Sequence, residues 1–218
     1  MFHVKHILRR LTPDQESRLV AFEMAIQRLN LQINLVSRPS ARDFWVRHVA
    51  DCLALAAQRF PDGAVVADWG TGGGLPAVPL AVAFPGATFY AVDSNRKKHF
   101  VLRQIQRELG LSNLYPWHGR AEAFPYELQY SVSRATAPLT DLWAWHHRSA
   151  SPAAKVTPGC WKEGLVCLKG GNLRAQFNAL NQRYPGLHVE STPLADSSRK
   201  IVHVYPGESL RPHHTLHA

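Results

Sequence analysis

Residues 65–80 read VVADWGTGGGLPAVPL, and the fold turns on how they are taken. A run of small and branched apolar residues stops at Gly70-Thr71-Gly72-Gly73-Gly74, and a second apolar run begins directly behind it. An unbroken branched apolar stretch bounded by glycine reads as a buried strand, and the run after the glycines reads as a helix. Four glycines at the end of a buried strand weaken the fold unless something must approach the backbone closely.

The same alternation continues outward. AVVADW (64–69) and ATFYAVD (87–93) predict strands, each followed by a helix, over about 75–84 and 95–109. NLYPWH (113–118), YSVSRA (130–135) and GLVCLKG (164–170) are further strands. Alternating strand and helix implies a parallel sheet with helices on both faces. LHVESTPL (187–194) and KIVHVYP (200–206) have only a turn between them, too little for a helical crossover, so they predict an antiparallel hairpin at one edge. Ahead of the sheet, Thr12 can cap a helix, Pro13 suits its first position and Gln15 completes a capping box. Leu19, Phe22, Ile26 and Leu29 then recur at helical spacing. A second helix is expected from Ser40, with Asp43 in its first turn and Phe44, Val49, Leu53 and Ala56 facing inward. The segment 146–159, HHRSASPAAKVTPG, reads as a loop. The expected organisation is a helical extension over 1–60, an α/β domain over 61–206 and a disordered tail over 207–218.

A chain of 218 residues, 45% hydrophobic and 19% charged, suits one globular domain with a filled core. Its 25 Lys and Arg against 16 Asp and Glu give +9, with twelve histidines besides. That balance suits a polyanionic partner, either nucleic acid or an anionic membrane surface. No apolar run approaches the roughly 20 residues of a membrane span, and the start MFHVKHILRRLTPDQ lacks a signal peptide's apolar stretch. Cys52, Cys160 and Cys167 are odd in number and share no metal-ligand spacing, which fits a reducing cytoplasm and neither a disulfide framework nor a zinc site. The His-His pairs at 146–147 and 213–214 have no cysteine or carboxylate to complete a metal site and read as surface histidines.

In an open parallel sheet, ligands bind beyond the carboxyl ends of the strands. Gly70 to Gly74 sits at such an end, where bare backbone and free N–H groups can face a ligand. The next strand ends in Asp93, 23 residues beyond Gly70, placed to accept hydrogen bonds from both hydroxyls of a ribose. Glycine turn and acidic terminus together indicate a nucleoside cofactor. A dinucleotide fingerprint, Gly-x-Gly-x-x-Gly, would need a third glycine where Leu75 stands. Gly-x-Gly-x-Gly at 70, 72 and 74 is instead the pattern of S-adenosylmethionine sites. A nicotinamide or flavin site, and a purely structural turn, remain the weaker readings.

A closing antiparallel strand after a parallel sheet is also the habit of Rossmann-like class I S-adenosylmethionine-dependent methyltransferases. DWGTGGGLPAVPL, HGRAEAF, SRATAPL and LKGG stand in the order and at about the spacing of the RsmG (GidB) family, which the chain resembles from about residue 19 to 205. NLVSR (34–38) and RHVADCLAL (47–55) resemble that family's signature ahead of the cofactor domain. Trp69 and Gly73 differ from its usual residues, Ala77 stands where glycine is common and Cys52 where serine is common; none of these removes a charge. The resemblance implies an enzyme that methylates N7 of a guanine in bacterial 16S ribosomal RNA. It assigns Asp68, Gly70, Gly72, Gly74 and Leu75 to the cofactor site, with Gly70 and Leu75 on its methionine and ribose side. It also assigns Ala121 and Glu122 near the adenine and Arg134 at the amino-acid end, beside Asp93 at the ribose.

Guanine N7 carries an available lone pair and loses no proton on methylation, so no general base is expected. After the fourth strand, SRATAPL offers neither the Asn/Asp-Pro-Pro-aromatic cluster that binds an amine nor a Pro-Cys nucleophile. Catalysis then reduces to alignment in a suitable field. RNA contacts are expected from Arg47, His48, Lys169 and Arg199, with Arg38 and NRKK (95–98) as further candidates. Trp69, Trp117, Trp143 and Trp145 could stack on a base, with core packing as the default. We expect a cytoplasmic monomer whose partner is 16S rRNA or the small ribosomal subunit, with no membrane association. The competing functions are methylation of another RNA, a small molecule or a protein, and non-catalytic RNA binding.

Overall fold

The computed structural model describes residues 9–31, 33, 35, 44–134, 136–151, 157–195 and 198–207. Its first helix, α1 (Pro13–Asn30), starts as the capping box requires. Gln15 N–H donates to Thr12 Oγ1 (3.3 Å), and Thr12 N–H donates to Gln15 Oε1 (2.9 Å). Leu19, Phe22, Ile26 and Leu29 are buried on one face of it.

The start expected at Ser40 and Asp43 lies outside the described residues. From Phe44 the chain winds as a helical run we label α2, with wide π-type turns at Trp45–Ala50, an α-turn at Asp51–Leu53 and a tight 3₁₀ end at Ala54–Ala57. Phe44, Val49, Leu53 and Ala56 are all buried, as their spacing predicts.

The strands are β1 (Val65–Trp69), β2 (Thr88–Asp93), β3 (Leu114–His118), β4 (Tyr130–Arg134), β5 (Gly164–Gly170), β6 (Leu187–Pro193) and β7 (Arg199–Pro206). Between them lie α3 (Ala77–Ala83), α4 (Arg96–Glu108), α5 (Leu139–Ser149) and α6 (Arg174–Arg183). The sheet order is β3-β2-β1-β4-β5-β7-β6. β1 to β5 run parallel, and β7 inserts antiparallel beside β5 with β6 outside it. The closing hairpin thus sits at an edge, as its short connection dictates.

Strand periodicity divides the core into two. Val66, Phe89, Ala91, Tyr130 and Val132 face one side, against α1 to α4, and Ala67, Trp69, Val92, Leu165 and Cys167 face the other, against α5 and α6. The N-terminal helices share the first of these clusters with the sheet. Gln15 joins them further by donating to the Val82 carbonyl (2.8 Å).

Two sequence expectations need correction. The loop expected from residue 146 begins instead inside α5, whose Leu139, Leu142, Trp143 and His146 form a buried stripe at helical spacing. His146 is therefore a core residue, paired with Ser131 Oγ at 3.0 Å, and only its neighbour His147 is at the surface. A histidine on the inward face hid the apolar period. Residues 152–156 of that loop, and the pair at 213–214, lie outside the described residues.

Candidate cofactor cleft

The sheet order reverses between β1 and β4, whose outgoing connections diverge and leave a crevice beyond their carboxyl ends. There the structure has a cleft of about 440 Å³, within the 300–1,000 Å³ usual for small-molecule sites.

The turn after β1 forms its floor. Thr71 N–H donates to the Val92 carbonyl (3.0 Å), tying the turn to β2, and Gly74 N–H and Leu75 N–H fold back to the Thr71 carbonyl (2.9 and 3.0 Å). Gly70 has φ +69°, and a Cβ there would collide with the Thr136 methyl group of the β4 loop. At Gly74 an added Cβ would lie 2.6 Å from Val78 Cγ2 and 2.9 Å from Leu102 Cδ2. These glycines let the turn be gripped between a loop and a helix, as well as baring backbone to the cleft.

Asp68 is fully buried beneath the turn rather than in the cleft, and its Oδ2 accepts the Ala77 N–H at the start of α3 (3.0 Å). Burial pushes its carboxyl up to about 7, against the opposing pull of the Thr71 hydroxyl and the Ala77 N–H. Asp68 thus positions the floor. Gly74 likewise lies outside the cleft lining, whereas Gly70, Gly72, Leu75, Asp93, Ala121, Glu122 and Arg134 all line it.

Asp93 and Arg134 end β2 and β4, the two neighbours of β1, so a carboxylate and a guanidinium flank the glycine turn. Asp93 Oδ2 accepts Gly72 N–H (2.9 Å) and Oδ1 accepts Asn95 N–H (2.8 Å). Arg134 Nη1 lies 2.7 Å from His48 Nδ1. A guanidinium can only donate, so His48 Nδ1 accepts and its ring proton sits on Nε2. On the third side, Glu122 accepts the indole N–H of Trp145 (3.0 Å), which holds that half-buried ring at the cleft wall.

Thr136, Lys98, Ser94 and Trp145 also line the cleft. Sequence reasoning gave them no cofactor role: Ser94 and Thr136 are short polar loop residues without periodic signal, and Lys98 and Trp145 stand on helices whose orientation toward the cleft no local pattern shows. Thr136 Oγ1 donates either to the Gly70 or to the Arg134 carbonyl (3.3 Å each). Of the other tryptophans, Trp69 and Trp143 are core.

Of the four expected RNA contacts, His48, Lys169 and Arg199 have polar partners within the fold. Arg47's side chain lies outside the described residues. His48 is turned onto Arg134, and Arg199 Nε pairs with Asp51 Oδ2 at 3.1 Å. The Lys169 ammonium is buried and donates to the Ala137 carbonyl, and that burial lowers its pKa. Among the described residues, no cluster of three or more His, Cys, Asp or Glu could hold a metal ion.

Residues 15–201 match the family described as GidB, rRNA small subunit methyltransferase G. The chain belongs to this family. A relative from Salinibacter ruber, named ribosomal RNA small subunit methyltransferase G, is 46% identical over 188 residues, covering 86% of this chain and 87% of its own. Another of that name, from Klebsiella pneumoniae, is 34% identical over 203 residues, covering 91% and 93%. Among solved structures, TrmN from Thermus thermophilus superposes with a TM-score of 0.56 at 20% identity, covering 79% of this chain and 55% of that one. Ribosomal protein L11 methylase from Lactobacillus delbrueckii subsp. bulgaricus gives 0.57 at 12% identity, covering 74% and 79%. At such identities the likeness is one of fold. The chain thus shares the fold of these methyltransferases, a mostly parallel sheet with an antiparallel closing strand.

Proposed function

We propose that this protein transfers the methyl group of S-adenosylmethionine to N7 of a guanine in 16S ribosomal RNA, acting as a cytoplasmic monomer. The reading is carried by Asp93 and Arg134 flanking the Gly70 turn in one cleft. When bound, the cofactor supplies a sulfonium-borne methyl group that is electrophilic without further activation.

The residues present fit such a molecule. Asp93 keeps a lone pair on each oxygen for ribose hydroxyls beyond those facing Gly72 and Asn95. Arg134 offers its planar donor fork to an amino-acid carboxylate, and His48 limits the swing of that fork. Ala121, Glu122 and the Trp145 ring give a base a wall to lie against.

The absence of a general base follows from the acceptor, since N7 sheds no proton. The cleft's own carboxylates hold its shape, Asp93 by accepting backbone N–H groups and Glu122 by accepting the Trp145 indole N–H. The Cys52 and Cys167 thiols are buried and pushed up to about 12 by that burial, which withholds a thiolate nucleophile at neutral pH. What the chain must do is hold N7 in line with the methyl group and exclude water. Three free cysteines fit a reducing cytoplasm. Among the described residues, no helix is long and apolar enough to cross a membrane.

The test is incubation of the purified protein with methyl-labelled S-adenosylmethionine and small-subunit rRNA, followed by digestion to nucleosides. Label in 7-methylguanosine is expected. Turnover on a small molecule without RNA, or RNA binding without cofactor binding, would replace the reading with one of its rivals.

A further inference from the structure

Helix α4 presents to solvent a face that neither the core nor the cleft uses. Arg96, Phe100, Arg103 and Arg107 recur at four- and three-residue intervals and so share one side of the helix, with Lys97 on the adjacent row beside Phe100. All five are exposed, Phe100 to 70%, while Val101, Leu102 and Ile105 on the opposite side are buried. Among the described residues, none of the four cations is held in an ion pair or a side-chain hydrogen bond. The helix's one acid, Glu108, is taken by Arg28 at 2.7 Å.

A single exposed aromatic ring is unremarkable in itself. A ring set among four uncommitted cations is a different surface. An apolar protein partner would leave those charges desolvated and unpaired, which costs several kcal/mol. A nucleic-acid strand satisfies both kinds of group at once, because its phosphates take the cations and an unstacked base takes the ring. The face also starts at the cleft: Lys98 and Ser94 line it, and Asn95 Oδ1 caps the helix by accepting the Lys97 and Lys98 N–H groups. From Arg96 to Arg107 the row runs about 16 Å at 1.5 Å per residue. That matches about five stacked nucleotides at 3.4 Å each.

We propose that this face of α4 is the docking surface for the unpaired rRNA segment next to the target guanine. Phe100 stacks on a base, and Arg96, Lys97, Arg103 and Arg107 neutralise phosphates. The inference rests on the rRNA-methyltransferase reading above. It places the RNA-binding charge away from His48, Lys169 and Arg199, whose polar ends are engaged within the fold.

The experiment uses the full chain, deproteinised small-subunit rRNA and S-adenosylmethionine. Phe100→Ala should raise the KM for rRNA about tenfold, the scale of one lost base–aromatic stack, with kcat and cofactor affinity unchanged and Phe100→Trp restoring the wild-type value. Changing Arg96, Lys97, Arg103 and Arg107 together to Gln should flatten the dependence of log Kd on log salt by about 3, from about 0.7 per lost phosphate contact on a single strand. Variants that bind rRNA with wild-type affinity and salt slope, while the wild type still methylates it, overturn the surface and leave the activity standing. Normal binding to bare rRNA but failure on the assembled small subunit would assign the face to a ribosomal protein and also overturn it. A wild-type protein that neither binds nor methylates rRNA would remove the functional reading, and the docking surface with it.

Discussion

Each oxygen of Asp93 already accepts one backbone N–H, from Gly72 and from Asn95, before any ligand arrives. The carboxylate therefore shapes the turn as well as offering lone pairs to a ribose. Asp93→Ala should weaken S-adenosylmethionine binding by about 1.5–3 kcal/mol in calorimetry, the scale for hydrogen bonds to a charged group. The fold should survive, because the strand end is not core; unchanged affinity would remove the ribose role. Arg134 answers to a more selective test. Arg134→Ala should lower affinity for S-adenosylhomocysteine, which carries the amino-acid carboxylate, and spare 5′-methylthioadenosine, which lacks it. Equal loss for both would mean that Arg134 shapes the cleft and recognises no carboxylate.

The turn between β1 and α3 is the element on which the site depends. Gly70→Ala places a side chain at φ +69°, a strain of about 1–2 kcal/mol from the backbone alone. It also drives that side chain into the Thr136 methyl group. In a Thr136→Ala background most of the second part of the cost should be relieved, with only the Cβ contact at 3.0 Å left, and the first should remain, as thermal denaturation of the four proteins of the cycle would show. Additive losses would contradict the contact.

This turn was the most legible part of the sequence, since strand, glycines and the following apolar run are all local signals. The mostly parallel sheet and its antiparallel edge were legible for the same reason, in the alternation of strand and helix and the short closing connection; the order of the strands was not. Helix α5 was not, because the inward His146 stands in its apolar stripe, and no local rule shows that Ser131 across the sheet will satisfy it. Nor did the sequence show that His48, Lys169 and Arg199 turn inward. Their partners Arg134, Ala137 and Asp51 lie far away along the chain or across the sheet. The solvent face of α4, by contrast, lay in plain view as RKKHFVLRQIQR, but only its first basic residues stood out before exposure was known.

At the scale of the whole molecule, three buried groups shape the response to pH. Burial holds His146 down to about 3 and His203 to about 4, so each takes its proton in the unfolded chain first. Their contribution to stability is full above about 6.5 and is lost as pH falls below it, by about 3 kcal/mol for the pair between pH 6.5 and 5. Asp68, raised from 3.8 to about 7, has the opposite sign: the folded state binds the extra proton, and stability rises as pH falls through that window. Asp68→Asn should therefore make acid unfolding steeper below pH 7, whereas His146→Asn, which can still bond Ser131, should make it shallower. Urea titrations at pH 5, 6, 7 and 8 would show both, and a change of the same sign in the two variants would contradict the assignment of buried charge.

The claim on which everything else rests is the position and chemistry of the methyl group. N7-methylguanosine bears a fixed positive charge that opens its ring to borohydride and then its chain to aniline. Small-subunit rRNA from wild-type cells and from cells lacking this protein should be treated side by side and read by primer extension. One additional scission in the wild-type RNA, absent from the deletion strain and restored by the gene in trans, is the predicted result. Identical cleavage in both strains, or a lost methyl group that mass spectrometry places on cytosine C5 or an exocyclic nitrogen, would contradict it.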